Sequence, residues 1–191
     1  MIIAGGDSMI WGSELQDSPH GGPGGYSRKT FPALLAENNY ACAAYPGYSN
    51  YEIARDLKSA IKSYVGIPFV IACWTWPSRD KLYTSSRAIQ EFEHYCKYHQ
   101  VPYLFTCVDN CLFEVVEQQT LDMSNWYLFP SGHLDIYGNE TDVTLGPRGF
   151  YQWAIENKYT IGPDGHPLED AHKDAANLIK EKYDELVKKY Y

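Results

Sequence analysis

The feature that most constrains this sequence is an unbroken apolar run from Pro68 to Trp74. A strand with one face in water alternates apolar and polar residues, so a continuous run is typical of a strand buried on both faces. Such strands occur in parallel sheets that helices cover on both sides. The run therefore predicts an α/β protein with a covered parallel sheet.

Shorter apolar runs at Ile2–Ala4, Ala41–Ala44 and Tyr103–Cys107 alternate with segments of helical character. In the clearest of these, Tyr51–Tyr64, apolar residues recur at helical spacing behind Asn50 as a candidate N-cap. Further helices are predicted over residues 31–37, 85–99 and from about 168 to the end. The alternation predicts a three-layer αβα sandwich with a flavodoxin-like, mostly parallel sheet and right-handed crossovers.

The chain has 191 residues, which is room for one ordinary α/β domain, and we expect residues 1–191 to form a single folding unit. Two segments break the alternation. Residues 18–27 are rich in glycine and proline and predict a flexible loop. Residues 124–148 lack periodicity and are interpreted as an insertion in the domain.

Charge and composition exclude several classes of partner. A net charge of −8 argues against binding to nucleic-acid backbones or anionic membranes, because both depend on clustered cations. No stretch has the apolar length of a membrane span or of a signal peptide. Five cysteines without a CxxC pair favour reduced thiols and a cytoplasmic location, and no residue spacing predicts a metal site. The oligomeric state stays open.

In open parallel sheets, ligands bind outside the carboxyl ends of the strands. The residues in these positions include a hydroxyl, loop glycines, an acid and a histidine, which together suit acyl transfer. They are Ser8 after the first predicted strand, Gly47 and Asn50 after the second, Thr75 and Trp76 after the third, and Asp164 and His166 before the last helix.

The order of these motifs resembles that of the SGNH, or GDSL-type, hydrolases. Gly6-Asp7-Ser8 is similar to the family's first block, Gly47 to its second, and Asp164-Gly165-His166-Pro167 to its last. The resemblance implies a Ser-His-Asp mechanism in which Ser8 is the nucleophile, His166 the base and Asp164 the orienting acid. The backbone amides of Ser8 and Gly47 would bind the oxyanion, and no metal or organic cofactor is required.

The sequence departs from the family pattern in two places. The third block should supply an asparagine near residues 74–77, where none stands; Thr75, Arg79 or Asn50 are candidate substitutes. Asp164 precedes His166 by two positions instead of the usual three. His172, with Glu169 three positions before it, is therefore kept as the runner-up base.

The implied activity is hydrolysis of a small-molecule carboxylic ester. Aromatic side chains near the strand ends, including Tyr45, Tyr48 and Trp76, favour a small acyl group such as acetyl on a carbohydrate-like or nucleoside-like substrate. Three alternatives stay open: a ligand-binding module without catalysis, an acyltransferase that uses the same serine, and a nucleotide-binding flavodoxin-like protein. Ser8 could also serve only to cap a helix, and Asp7 is expected to be structural.

Overall fold

The computed structural model describes residues 1–18, 25–80, 84–130 and 148–190. Residues 19–24, which include His20, and residues 131–147 lie outside this range. They are parts of the two irregular segments predicted from the sequence. Four strands and six α-helices are present in the described part: β1 Ile2–Gly5, α1 Ser8–Trp11, α2 Phe31–Ala36, β2 Tyr40–Cys42, α3 Asn50–Ser63, β3 Phe69–Trp74, α4 Thr84–Tyr98, β4 Tyr103–Cys107, α5 Phe150–Glu156 and α6 Glu169–Tyr190.

The described strands form one parallel sheet in the order β2-β1-β3-β4. Helices α2 and α6 pack against each other, as do α3 and α4. The predicted α/β class with a parallel sheet flanked by helices is therefore confirmed. Because β1 lies between β2 and β3, any residue that directly follows β1 is flanked by the loops after both neighbours.

The position of β3 between two core clusters explains why its sequence is apolar throughout. Phe69, Ile71 and Cys73 face one core cluster, which α2 and α6 share, and the alternate residues of β3 face the cluster that α3 and α4 share. All six residues of the strand are buried. The two faces of one strand thus fill two separate cores, and neither face can carry a polar side chain without leaving it buried.

Helix α3 begins one residue away from the predicted cap. Ser49, not Asn50, is the N-cap: its hydroxyl accepts the Glu52 N–H, while the Glu52 carboxylate accepts the Ser49 N–H. This reciprocal capping box leaves the Asn50 side chain free for another role. Helix α5, which the sequence reading did not predict, follows Gly149 directly after the irregular segment.

No helix in the described parts of the chain has both the length and the apolar character that a membrane span requires.

Candidate active site

The nucleophile candidate lies where β1 passes directly into a short helix. Ser8 is the first residue of α1, and Asp7 caps that helix by accepting the Met9 N–H on Oδ1 at 2.9 Å. Two glycines make the passage possible, because a Cβ on Gly5 would lie 2.5 Å from Leu57 Cγ and one on Gly6 would lie 2.4 Å from Ile10 Cγ1.

Ser8 is not the helix cap, since Asp7 has that role. Its side chain is 8% exposed, and its hydroxyl makes no hydrogen bond to any residue that the structure describes. Its backbone N–H and that of Gly47 likewise have no acceptor among the described residues. Gly47 adopts φ +83°, with open space where a side chain would stand, in the turn that follows β2. Two unused backbone donors thus accompany the serine at the end of β1.

His166 is presented by a tight turn before α6. The Gly162 N–H donates to the His166 carbonyl at 2.8 Å, and Gly165 adopts φ +89° between them. The side chain of His166 is 14% exposed, and its Nδ1 lies 2.7 Å from Oε2 of Glu14. The carboxylate that contacts the histidine ring therefore belongs to Glu14.

Glu14 is held tightly in this place. Its carboxylate also accepts the backbone N–H groups of Asp164, at 2.9 Å, and of His166, at 3.1 Å. A Cβ on Gly162 would come within 2.6 Å of the same carboxylate, so a larger residue there would displace Glu14 from this position. Glu14 itself has φ +70°, a left-handed conformation that is costly for a residue with a side chain. The surrounding bonds stabilise this strained turn.

These contacts set the protonation state of the pair. Burial is the largest influence on Glu14 and opposes its ionisation, but the hydrogen bonds from Asp164 and His166 together outweigh it and lower the pKa of Glu14. An ionised Glu14 can only accept, so Nδ1 of His166 must carry the proton that lies between them. In the neutral ring Nε2 is then unprotonated, which is the form that a general base needs.

The chain connects this pair to Ser8 through a single turn. The Ser8 carbonyl accepts the N–H groups of Gly12 and Ser13 at 3.0 Å each, and Glu14 is the next residue. The Ser8 hydroxyl is not hydrogen-bonded to either ring nitrogen of His166.

Asp164 differs from its expected role as orienting acid. Its side chain is exposed, and it reaches the pair only through its backbone N–H to Glu14. Asp164 precedes His166 by only two positions, with Gly165 between them, and the carboxylate that faces the ring comes from a distant part of the chain instead. Sequence reasoning missed Glu14, because 152 positions separate it from His166 and no local pattern marks it.

His172 is a core residue. It is 1% exposed, and its Nδ1 accepts the backbone N–H of Phe31 at 3.2 Å, which satisfies the first residue of α2. Its ring lies 4.8 Å from that of Phe150. Burial, with a smaller contribution from the nearby charge of His166, lowers the pKa of His172 to about 3. Glu169, its proposed partner, instead accepts the Gln16 N–H. This geometry does not suit His172 to the role of general base, for which the sequence made it the second candidate.

Asn50 and Thr75, two of the candidate oxyanion donors, are bonded to each other. Oδ1 of Asn50 accepts the Thr75 N–H at 2.8 Å, and its Nδ2 donates to the Thr75 carbonyl at 3.1 Å and to the Ser85 hydroxyl at 3.0 Å. The Thr75 hydroxyl donates to Oδ2 of Asp7 at 2.7 Å. Asn50 and Thr75 are both fully buried. Their donors hold the loop after β3 in place and are not free for a substrate.

Asp7 joins this network from the other side. Its buried Oδ2 accepts from Thr75 and also lies 3.1 Å from Nη1 of Arg79. The carboxylate thus caps α1 with one oxygen and anchors the loop after β3 with the other. These contacts agree with the expected structural role of Asp7.

Some of the aromatic residues lie in the core, and others lie at the edge of the candidate active site. Trp74 and Trp126 are buried in the core, whereas Tyr45 is 53% exposed and packs at a tilt against Tyr48, with ring centroids 5.4 Å apart. Trp76 is partly exposed, and the guanidinium of Arg79 lies over its ring, 5.3 Å from the centroid. The rings that remain available to a ligand follow β2 and β3, on both sides of Ser8.

No group of three or more metal-ligating side chains occurs among the residues that the structure describes.

The described residues thus form a four-stranded parallel sheet covered by helices, with Ser8 at the start of the helix after β1 and the Glu14-paired His166 before α6. No protein-family model matches the sequence, and no curated protein matches it. Among solved structures it is similar to a G-D-S-L family lipolytic protein from Desulfitobacterium hafniense, at 12% identity and a TM-score of 0.57, covering 95% of this chain and 98% of that one.

Two further solved structures are similar over nearly their whole length. The psychrotrophic esterase EstA from a Pseudoalteromonas species matches at 13% identity and a TM-score of 0.56, with 99% of this chain and 97% of that chain covered. A G-D-S-L family lipolytic protein from Veillonella parvula matches at 14% identity and a TM-score of 0.53, with 94% and 96% covered. The chain shares the fold of these three solved structures.

Proposed function

We propose that this protein is a serine ester hydrolase in which Ser8 is the nucleophile, His166 the general base and Glu14 the acid that orients the histidine. The observation that carries the proposal is the 2.7 Å contact between Glu14 and Nδ1 of His166, one backbone turn from Ser8. The fold supports it, since the similar structures include an esterase and two lipolytic proteins.

The reaction follows from these protonation states. Nε2 of His166 takes the proton from Ser8 Oγ as that oxygen bonds to the ester carbonyl carbon, and the carbonyl π electrons move to the oxygen. The protonated His166 then gives its proton to the departing alkoxide, which leaves an acyl-Ser8 ester. Water then hydrolyses the acyl-enzyme by the same steps. His166 takes a proton from water as the water oxygen bonds to the acyl carbon, and the bond to Ser8 Oγ breaks as His166 returns that proton to Oγ.

Glu14 stays ionised throughout this cycle. It holds Nδ1 protonated and stabilises the imidazolium that forms at each proton transfer. The free N–H groups of Ser8 and Gly47 are the proposed backbone donors to the oxyanion. The chemistry needs no cofactor.

For the substrate, we propose a small acyl group such as acetyl on a carbohydrate-like or nucleoside-like alcohol. The exposed ring of Tyr45 and the partly exposed ring of Trp76 flank the end of β1 and offer apolar surface for such an alcohol. A cytoplasmic location remains part of the proposal, as the cysteines that the structure describes are all free thiols.

The direct test is hydrolysis of p-nitrophenyl esters of increasing acyl length. We expect turnover of the acetate, a decline with longer chains, and loss of activity in both Ser8→Ala and His166→Ala with their folds intact by circular dichroism. Activity that survives Ser8→Ala would contradict the proposal. Product formation that requires an added alcohol acceptor would identify a transferase instead.

A ligand-binding module is a second candidate, favoured by the absence of the third-block asparagine. It predicts that both p-nitrophenyl acetate hydrolysis and reaction of Ser8 with a phosphonylating agent are absent, while a ligand still binds.

A further inference from the structure

Arg79 crosses the ends of three strands. It belongs to the 3-10 turn Pro77–Arg79 that follows β3, and its Nη1 lies 3.1 Å from Asp7 after β1 and donates to the Tyr48 carbonyl after β2 at 3.4 Å. Because β1 lies between β2 and β3, a side chain with these contacts must pass the end of β1. The guanidinium therefore lies beside the start of α1, close to Ser8 and to the Gly47 turn.

Most of the donors of this guanidinium have no acceptor among the residues that the structure describes. Both contacts are made by Nη1, and neither Nε nor Nη2 has an acceptor among the described residues. The Trp76 ring lies against the group at 5.3 Å and restricts its rotation. An arginine held at two points, with its remaining N–H groups free, is prepared to donate to a further oxygen.

The other two side chains considered for this role have no donor left. Both N–H groups of the Asn50 amide are bonded, one to Thr75 and one to Ser85, and the hydroxyl of Thr75 is bonded to Asp7. Of the three candidates after β2 and β3, Arg79 alone combines unused donors with partial exposure, at 29% of its side chain.

We infer that Arg79 is a catalytic residue: its guanidinium is the side-chain donor of the oxyanion hole, in place of the asparagine that the resemblance to the SGNH hydrolases implies. The inference rests on the proposed hydrolase function. When Ser8 Oγ bonds to the carbonyl carbon, the carbonyl π electrons become a lone pair on oxygen. That oxygen accepts N–H bonds from Ser8, Gly47 and Arg79, and the lone pair re-forms the C=O bond when the alkoxide leaves.

The contact with Asp7 limits what else Arg79 can do. The buried carboxylate neutralises the guanidinium before any substrate arrives, so the site does not need an anionic substrate to balance its charge. Arg79 therefore acts on charge that develops during the reaction, and uncharged esters are suitable substrates. Its effect belongs in kcat, not in KM.

The test compares the kinetics of Arg79→Ala and Arg79→Lys with p-nitrophenyl acetate as substrate. We expect Arg79→Ala to lower kcat about 10²- to 10³-fold with KM within about threefold, as for loss of one oxyanion donor. Added guanidinium chloride at millimolar concentration should restore part of this rate. Phenylboronic acid, which forms a tetrahedral adduct with an active serine, should bind more weakly by a factor similar to the loss in kcat/KM.

Arg87→Ala is the matched control, because Arg87 is an exposed arginine paired with Glu91 on α4, and its activity should equal that of wild type. Arg79→Lys keeps a cation beside Asp7, so it preserves the fold if the alanine variant does not; we expect its kcat to be reduced as well, since lysine lacks the planar fork.

Three results would overturn the inference. One is a kcat of Arg79→Ala within about threefold of wild type while Ser8→Ala is inactive, which leaves the hydrolase function standing. Another is a rise in KM alone, which would assign Arg79 to substrate binding. The third is recovery of kcat when Asp7→Asn is added to Arg79→Ala, because the defect would then come from an unpaired buried carboxylate. If wild type itself is inactive, the proposed function fails first.

Discussion

Replacing Glu14 by glutamine tests the orienting acid with almost no change in shape. The carboxylate accepts three N–H donors: Asp164 N, His166 N and His166 Nδ1. A glutamine can accept with its oxygen only, so its amide NH₂ would face either the Asp164 N–H, at the position of Oε1, or both His166 donors, at the position of Oε2. If the oxygen keeps Asp164, the NH₂ group meets His166, whose ring must then move its proton from Nδ1 to Nε2.

That change removes the base. With its proton on Nε2, His166 cannot accept the Ser8 proton, and the comparable acid-to-amide change in Ser-His-Asp proteases lowers kcat by about 10⁴. For Glu14→Gln we expect a loss of about 10³ to 10⁴ in kcat, or roughly 4 to 5.5 kcal/mol of transition-state stabilisation. The free energy of unfolding should fall by about 1 to 3 kcal/mol, because a buried acceptor becomes a donor.

The assay is the steady-state hydrolysis of p-nitrophenyl acetate between pH 5 and 9, beside a thermal unfolding curve, with Asp164→Asn as the matched control. Because Asp164 takes part through its backbone, its amide variant should keep wild-type kcat. The reasoning would be refuted if Glu14→Gln kept kcat within about threefold of wild type, or if Asp164→Asn were the variant that lost activity.

The remaining predictions concern stability and the frame of the site. The pKa of His172 is lowered from 6.5 to about 3, so the folded state resists protonation of this ring. The contribution of the neutral ring to the free energy of unfolding is fully present above about pH 6.5, and it is lost by up to about 1.4 kcal/mol per pH unit as the pH falls toward 3. His172→Asn, which keeps an acceptor for the Phe31 N–H, should flatten this slope in urea unfolding; an unchanged slope would contradict it. Glu14, whose pKa is lowered from 4.5, stabilises the fold above that pH, and its share is lost as the pH falls through the lowered value; Glu14→Gln should remove this component from the same titration. Gly6→Ala places a Cβ 2.4 Å from Ile10 Cγ1 and should lower the free energy of unfolding by about 1 to 3 kcal/mol and reduce activity. Gly66→Ala, at φ +111° in the turn before β3, should also lower stability, through backbone strain, but leave activity unchanged. Asn50→Ala leaves the Thr75 N–H without its partner and should lower the unfolding free energy by about 1 to 3 kcal/mol in chemical denaturation; wild-type stability would argue against the network.

Local patterns predicted the parallel sheet well. The run before Trp74 became a strand buried on both faces, and β4 has the predicted bounds, Tyr103–Cys107. Both depend on side-chain character within a few residues, which a sequence displays directly. The sequence also contains the signal for the start of α3, since Ser49 and Glu52 have the spacing of a capping box. The prediction of Asn50 as the cap is therefore wrong by one residue.

The site was predictable only in part, because its partners are far apart in the chain. Motif order proposes Ser8 and His166 as site residues, and their roles stay predictions, whereas the Glu14 contact depends on a left-handed turn after α1 that no neighbouring residue signals. Asn50 and Thr75 looked like free donors because a sequence shows which groups can donate, and not which of them are already bonded. Helix α5 was missed because it follows a segment without periodicity.

The central claim is a Ser8 hydroxyl activated by the Glu14–His166 pair, and its most direct test is the intact mass of the protein after exposure to a fluorophosphonate. Wild type should gain one phosphonyl group, and peptide mapping should place it on Ser8. His166→Ala should react far more slowly, and Ser8→Ala should gain nothing. Wild type without the added mass, or labelling at the same rate in His166→Ala, would contradict the account.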